Sequence, residues 1–261
     1  MSAASAPTAW GRVLVIVPTY NEVESLERVV GALRSAAPAV DVLVVDDASP
    51  DGTGELADRL AAGDEKITVL HRDGKLGLAR AYGAGFALAH ELGYDIVVEM
   101  DADGSHPAQT LPTMLDSLVS GGDSLGLVIG SRWVPGGAVE NWPRYRRFLS
   151  QAGNHYARFM LRLPVRDSTA GFRAYRAPVL LSVLTPEIDS QGYCFQIDLA
   201  LRVHDHGFDI AEVPIVFRER EAGVSKMSRA IVVEAMVRVT VWGVKRWMTG
   251  TPAPARQSAI R

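Results

Sequence analysis

Alternation is the feature that most constrains how this chain can fold. Five short apolar runs, Val13–Val17, Val42–Val45, Ile67–Leu70, Ile96–Met100 and Leu127–Ile129, are separated by segments with helical spacing. The helical pattern covers about 22–36, 53–60 and 76–92, and Pro107 is placed to open a further helix. In the first of these, Leu26, Val29, Val30 and Leu33 share one face. A strand with apolar residues at every position is buried on both faces, as in a sheet covered by helices on either side. The pattern therefore predicts an α/β fold of βαβ units on a mostly parallel sheet. Beyond about residue 138 the rhythm changes. Residues 144–162 read as an amphipathic helix, and 167–217 as short strands with a helix. Neither a linker nor an internal repeat interrupts 11–228, which is expected to be one domain. A helix over 229–248 follows, and 1–10 and 249–261 read as loose tails.

Composition narrows the class. The 261 residues are 48% apolar and 22% charged, which excludes a disordered or fibrous chain. The single cysteine, Cys194, excludes an internal disulfide framework and a cysteine-rich zinc site, and fits a reducing compartment. No uncharged apolar stretch reaches 18 residues, so no conventional spanning helix is expected. The N-terminus lacks the basic and apolar regions of a signal peptide. The formal charge is only −3, but it is unevenly spread. Eight arginines and one acid, Asp167, lie between Arg144 and Arg176. A basic block in an acidic chain points to a local anionic ligand rather than to nucleic acid. A plainer reading puts these arginines on the wet face of a helix, with Arg158 and Arg162 outward and Ala157, Met160 and Leu161 inward.

Sheets of this kind bind ligands beyond the carboxyl ends of their strands. Those positions hold Pro18-Thr19-Tyr20-Asn21-Glu22, Asp46-Asp47, His71-Arg72, Asp101-Ala102-Asp103 and Gly130-Ser131-Arg132. Two carboxylates two residues apart, where a strand opens into a loop, can share a divalent cation and leave positions for phosphate oxygens. Asp101 and Asp103 thus signal glycosyl or phosphoryl transfer. An EF-hand is excluded because its sixth position, which must be glycine, is His106. Asp101-Ala102-Asp103-Gly104-Ser105 also resembles an aspartate-dependent phosphatase motif, but too many strands precede it. A structural alternative makes the loop a helix cap, with Ser105 the better capping residue. Asp46 or Asp47 is suited to a base or ribose, while Ser49–Thr53 has turn composition. Thr19-x-x-Glu22 matches a capping box. The dinucleotide fingerprint, the P-loop and the nucleophile elbow are all missing, and the histidines show no metal-ligand spacing. Covalent catalysis is not indicated.

Taken in order, seven motifs resemble one family: Pro18–Glu22, Val45–Thr53, Gly74-Lys75-Leu76-Gly77-Leu78, Met100–Asp103, Gly130-Ser131-Arg132, Glu140-Asn141-Trp142 and Gly171-Phe172-Arg173. From about Val13 to Lys226 the sequence resembles the polyprenol (dolichol) monophosphate mannose synthases, inverting glycosyltransferases with a GT-A fold. The resemblance implies transfer of mannose from GDP-mannose to a polyprenyl monophosphate, with Mg²⁺ or Mn²⁺. By the same resemblance, Pro18, Tyr20, Glu22, Val45 and Asp47 hold the nucleoside. Asp101, Ala102 and Asp103 meet the diphosphate. Asp103 is a metal ligand, with Ser105 where relatives often carry Gln or Ser. Arg132, Arg146 and Ser150 match the lipid-phosphate positions, making Asp101, Asp103 and Arg132 the expected catalytic set. Arg220 and Lys226 match a closing loop with Gly223 as hinge. UDP-glucose as donor, or phosphate-ester hydrolysis, are the alternatives.

Many relatives carry C-terminal spanning helices, and this chain departs from that pattern. Residues 231–248 are largely apolar with a polar stripe of Glu234, Arg238 and Lys245, and Trp242, Lys245, Arg246 and Trp247 cluster at the end. Such a helix suits a membrane interface, a partner subunit that anchors the enzyme, or core packing. The expected place of action is the cytoplasmic face of a membrane.

Overall fold

The computed structural model describes residues 9–184, 193–219 and 229–250. Six alternating elements come first: β1 (Val13–Thr19), α1 (Leu26–Ala36), β2 (Asp41–Asp46), α2 (Thr53–Gly63), β3 (Ile67–His71) and α3 (Leu78–Glu91). Then follow β4 (Ile96–Glu99), α4 (Leu111–Ser120), β5 (Leu125–Ser131), β6 (Ala138–Glu140) and α5 (Arg144–Leu161). The last group is β7 (Arg173–Arg176), α6 (Ala177–Val183), α7 (Tyr193–Asp205), β8 (Asp209–Pro214), β9 (Val216–Arg218) and α8 (Arg229–Thr249).

Seven strands form the main sheet in the order β3-β2-β1-β4-β7-β5-β8. All neighbours are parallel except β7, which runs antiparallel to both β4 and β5. A small parallel pair, β6 and β9, stands apart. From β1 the chain steps outward to β2 and β3, then crosses back to β4 on the other side of β1. The two directions part between β1 and β4, and a crevice opens beyond their carboxyl ends.

Alternation along each strand divides the core into two layers. Val13, Val15, Val17, Val42 and Val44 face α1 and α4, which contribute Leu26, Val29, Val30, Leu33, Leu111, Met114, Leu115 and Leu118. Leu14, Ile16, Leu43 and Val45 face the opposite layer, built from α3, α5, α6 and α7. In that layer α3 lies so close to β1 that a Cβ on Gly85 would stand 2.7 Å from Ile16 Cδ1.

Several local expectations are corrected. The helix expected from residue 22 starts at Leu26, because Ser25 and Leu26 donate their N–H groups to the Glu22 carbonyl in a preceding turn. Thr19 stays in β1 and donates its hydroxyl to Asp46 Oδ1 (2.9 Å), so no capping box forms. The helix expected at Pro107 is first a single tight turn over Ala108–Thr110, and α4 begins at Leu111 with Pro112 in its first turn. Ser105 caps neither.

The strangest residue of the core is Glu99, fully buried near the end of β4 and opposite Arg173 of β7. Arg173 is also fully buried, and spends its guanidinium on the carbonyls of Ala170 (2.7 Å), Gln196 (2.6 Å) and Ser168 (2.7 Å). Among the described residues neither Glu99 carboxyl oxygen makes a well-formed hydrogen bond, although the Gln196 side chain, like Arg173, favours its charged form. Burial pushes its pKa up to about 7, against the pull of Arg173. The folded state thus holds this proton more tightly than the unfolded chain. The resulting stability is present below about pH 4.5 and is lost as pH rises through about 7. Glu99→Gln is expected to stabilise the fold at pH 8 by on the order of 2–3 kcal/mol. The gain should shrink toward zero by pH 5, as read from urea midpoints at the two pH values.

Candidate active site

The crevice between β1 and β4 collects the polar residues that follow those strands and β2. Asp101 leaves β4 and is held from two sides. The Tyr82 hydroxyl of α3 donates to Asp101 Oδ1 (3.3 Å), and the Asp101 backbone N–H donates to His106 Nδ1 (3.2 Å). His106 therefore accepts at Nδ1, and its Nε2 lies 3.9 Å from Asp101 Oδ2. Tyr82 is locked by stacking near Phe86 and Phe195. Burial, then the charges of Asp101 and Glu99, push its hydroxyl well above the usual tyrosine range, so it remains a donor. Asp103 is folded into its own turn, with Oδ1 accepting the Ser105 N–H (2.9 Å). Gly104 makes that turn at φ +76°, and a Cβ there would strike the guanidinium of Arg28. The Asp101 side chain remains 36% exposed at the crevice.

On the β2 side the two adjacent aspartates separate in role. Asp46 is taken up by the turn, accepting from Thr19, from the Ser49 hydroxyl (2.5 Å) and from the Ser49 N–H (3.1 Å). Asp47 instead pairs with Arg72 (2.6 Å) and accepts the Leu76 N–H (3.2 Å). This draws the Gly74–Leu78 loop over the strand ends. Lys75 of that loop places its ammonium 4.2 Å from the Tyr20 ring centroid. Glu22 accepts from the Ser25 hydroxyl (3.2 Å), and its backbone N–H donates to Thr53. Pro18, Tyr20, Glu22 and Asp47 thus line one end of the crevice. Val45 and Ala102 belong to it only through their backbones, since both side chains are buried in the core.

Across the crevice, Arg132 follows β5. Its Nε and Nη2 form a two-pronged pair with Asp167 (2.8 and 2.7 Å), and Nη2 also meets the Thr169 hydroxyl (2.9 Å). Asp167 is fully buried. Asn154 of α5 reaches both Asp167 (3.4 Å) and Thr169 (3.1 Å). Arg146, Ser150 and Asn154 lie four residues apart on one face of α5, which turns that face toward Arg132. Arg146 pairs with Glu219. The Trp142 ring sits between the two arginines, 4.2 Å from the Arg146 guanidinium carbon and 5.5 Å from that of Arg132. Asn141, with φ +62°, turns the chain that delivers this ring.

The structure therefore brings Arg132, Arg146 and Ser150 into one neighbourhood, and Asp101 and Asp103 into another. The arginine block as a whole is divided. Arg173 and Arg176 bond backbone carbonyls and serve the fold, whereas Arg144, Arg147, Arg158 and Arg166 are exposed. Arg220 and Lys226 lie outside the described residues. Tyr82, His106 and Asp167 were not singled out for the site from sequence. Only Asp167 carried a signal, as the one acid within the arginine block.

Comparison with known proteins agrees with this fold. The model of glycosyl transferase family 2 matches residues 14–184. A polyprenol monophosphomannose synthase of Mycolicibacterium smegmatis is 53% identical over 90% of this chain and 88% of its own length. An undecaprenyl-phosphate mannosyltransferase of Micrococcus luteus is 55% identical over 90% of this chain and 96% of its own. Among solved structures, glucosyl-3-phosphoglycerate synthase of Mycobacterium tuberculosis with uridine diphosphate superposes at a TM-score of 0.67 and 22% identity. That match covers 89% of this chain and 80% of the other. A mannosyltransferase of Pyrobaculum calidifontis solved with GDP-Man and Mn²⁺ matches at a TM-score of 0.60 and 20% identity, over 95% of this chain and 68% of the other. The strand-end carboxylates, the sheet order and these likenesses converge: the chain belongs to glycosyl transferase family 2 and has its GT-A architecture.

Proposed function

We propose that this enzyme transfers mannose from GDP-mannose to the phosphate of a polyprenyl monophosphate, giving β-mannosyl phosphoryl polyprenol and GDP. The supporting observation is the pairing of two charged neighbourhoods across one crevice. Two strand-end carboxylates suit a sugar diphosphate, and two arginines with Ser150 suit a second, singly attached phosphate. The two relatives are named for mannose on a polyprenol phosphate and for mannosyl transfer to undecaprenyl phosphate.

The acceptor oxygen of a phosphate monoester is already anionic near neutral pH, with a second pKa of about 6. It needs no strong base to attack the anomeric carbon from the face opposite the diphosphate. That direct displacement inverts the centre. What remains for the protein is to align the two substrates and to balance charge. Asp47 and Tyr20 would orient the nucleoside, with Arg72 holding Asp47 in place. Tyr82 and His106 hold the Asp101 carboxylate toward the diphosphate. Arginine forks match phosphate oxygens better than a point charge does.

The donor set fits a hard divalent cation, Mg²⁺ or Mn²⁺. Asp101 and Asp103 offer carboxylate oxygens and Ser105 a hydroxyl. Among the described residues no cluster of three His, Cys, Asp or Glu could hold an ion alone, so the remaining ligands would be diphosphate oxygens and water. When bound, the cation neutralises the departing diphosphate.

A lipid acceptor requires access to a membrane surface. No helix among the described residues is long and apolar enough to cross one. Instead α8 docks on α5 and α7. Val239 is buried, the Trp247 indole donates to the Met160 carbonyl (3.1 Å), and Arg246 pairs with Asp205. Arg246 is buried and turned inward by that pair. The outer faces of the two helices expose Tyr145, Phe148 and Phe159 on α5 and Val237, Val241 and Met248 on α8. Exposed Arg144, Arg147 and Arg158 lie among the α5 apolar residues. We infer that this surface rests on an anionic bilayer at the cytoplasmic face. Replacing Phe148, Val237 and Val241 together by Ser should sharply reduce flotation with anionic liposomes while leaving GDP-mannose binding unchanged. Unchanged flotation would overturn the assignment and favour a membrane-anchoring partner subunit.

The decisive assay incubates the protein with radiolabelled GDP-mannose, a polyprenyl phosphate and Mg²⁺ or Mn²⁺, then extracts the lipid. Label should enter the organic phase and be abolished by EDTA. Label only from UDP-glucose would move the donor, and free phosphate without lipid label would restore the hydrolase alternative. Asp103→Ala should lower turnover by at least about 100-fold, the scale of losing one main charge-stabilising group. Arg146→Ala is the cleaner acceptor test. Arg132→Ala would leave Asp167 buried without its counter-charge, a loss of about 3–5 kcal/mol. For Arg146→Ala the KM for the polyprenyl phosphate should rise while the KM for GDP-mannose stays constant.

A further inference from the structure

Among the described residues, three buried N–H groups around the two arginines have no hydrogen-bond partner: Nε1 of Trp133, Nε1 of Trp142 and Nε of Arg146. Such groups are rare in folded proteins, and each costs about 1–3 kcal/mol when left unpaired. An indole N–H can only donate, so only an acceptor can satisfy it. The Trp133 ring lies 5.7 Å from the Arg132 guanidinium carbon, and the Trp142 ring 5.5 Å from the same atom. Unpaired donors therefore gather around two fixed positive charges. The ligand chemistry this favours is an anion with several oxygen acceptors.

The neighbourhood is also set apart from the diphosphate position. Starting at His106 beside Asp101, the rings pass to Phe217 (5.6 Å between centroids) and from Phe217 to Trp142 (5.6 Å). Two ring-to-ring steps separate Trp142 from the His106 that holds Asp101, so the anion it meets belongs to the second substrate. One carboxylate already stands at this place, since Glu219 pairs with Arg146 Nη1 and is about one-third exposed.

We propose that the indole N–H groups of Trp133 and Trp142, with Arg146 Nε, are positioning donors for the acceptor's phosphate, which exchanges with the Glu219 carboxylate. This rests on the reading that the acceptor is a phosphate monoester. Binding then does two things at once. It satisfies three buried donors, and it releases Glu219 from Arg146. Placing three donors around one phosphate also fixes which oxygen is left to attack.

The test follows the indole N–H signals of the wild-type protein by ¹⁵N NMR, assigned with Trp133→Phe and Trp142→Phe. The probes are farnesyl phosphate and, separately, inorganic phosphate. Both indole signals should move with farnesyl phosphate. Trp142→Phe keeps an aromatic ring against Phe217 and Arg146 but has no N–H. It should raise the KM for farnesyl phosphate about tenfold, equivalent to about 1.4 kcal/mol, and leave the Kd for GDP-mannose within about twofold. Glu219→Gln should lower the acceptor KM. Indole signals unmoved by either phosphate overturn the assignment, as does a Trp142→Phe enzyme with unchanged acceptor KM. A raised KM without indole movement also overturns it, because packing alone would then explain the loss. Signals that move with inorganic phosphate in an enzyme that transfers no mannose to farnesyl phosphate would uphold the anion site and refute the acceptor reading.

Discussion

The two-pronged pair between Arg132 and Asp167 is the joint on which the arginine end of the crevice depends. It ties the end of β5 to the segment that leads into β7. Asn154 ties α5 to the same carboxylate, and Glu212 of β8 accepts the backbone N–H groups of Arg166 (2.8 Å) and Asp167 (3.0 Å). Four parts of the chain thus meet at one buried charge. Asp167 cannot be solvated where it lies, so its partner must be an arginine presented in register. That requirement fixes how α5 sits, and with it the positions of Arg146 and Ser150. A positive group held this way is already oriented before any anion arrives, which is what electrostatic catalysis needs.

The two halves of the site are joined by aromatic packing rather than by a hydrogen-bonded chain. Phe172 stacks on His106 (5.4 Å), His106 meets Phe217, and Phe217 meets Trp142. His106 holds Asp101, and Trp142 lies between the arginines. Rigid rings transmit position well because a close-packed interior gives way little. Phe217 belongs to β9, which pairs with β6, so the small two-stranded sheet has a clear purpose. It carries the middle ring and delivers Trp142 through the Asn141 turn.

Much of this was legible in the sequence. Val13–Val17 and Val42–Val45 are apolar at every position because both faces of those strands are covered. The carboxylates Asp101 and Asp103 were placed by their position after an apolar run. Other features were hidden for physical reasons. Thr19 and Glu22 have capping-box spacing, but Thr19 is held in β1 by Asp46, a partner 27 residues away. The arginine block looked like one surface. Yet Arg173 faces Glu99 across two antiparallel strands in the interior, and Arg176 bonds carbonyls near α4. Glu99 lies inside the predicted strand Ile96–Met100, and nothing local distinguishes it from an exposed carboxylate.

Local chemistry by itself determined the layered α/β class and the polar residue types gathered at the strand ends. Those follow from periodicity, which burial imposes on every strand and helix one element at a time. Tertiary structure decided which charges are free to act. Pairing of Arg132 with Asp167, of Arg146 with Glu219 and of Tyr82 with Asp101 links residues 35, 73 and 19 positions apart. No local pattern encodes such pairs. They arise because desolvated charges and donors must find partners wherever packing brings them. The indole N–H groups of Trp133 and Trp142 show the converse, buried donors that meet no partner among the described residues.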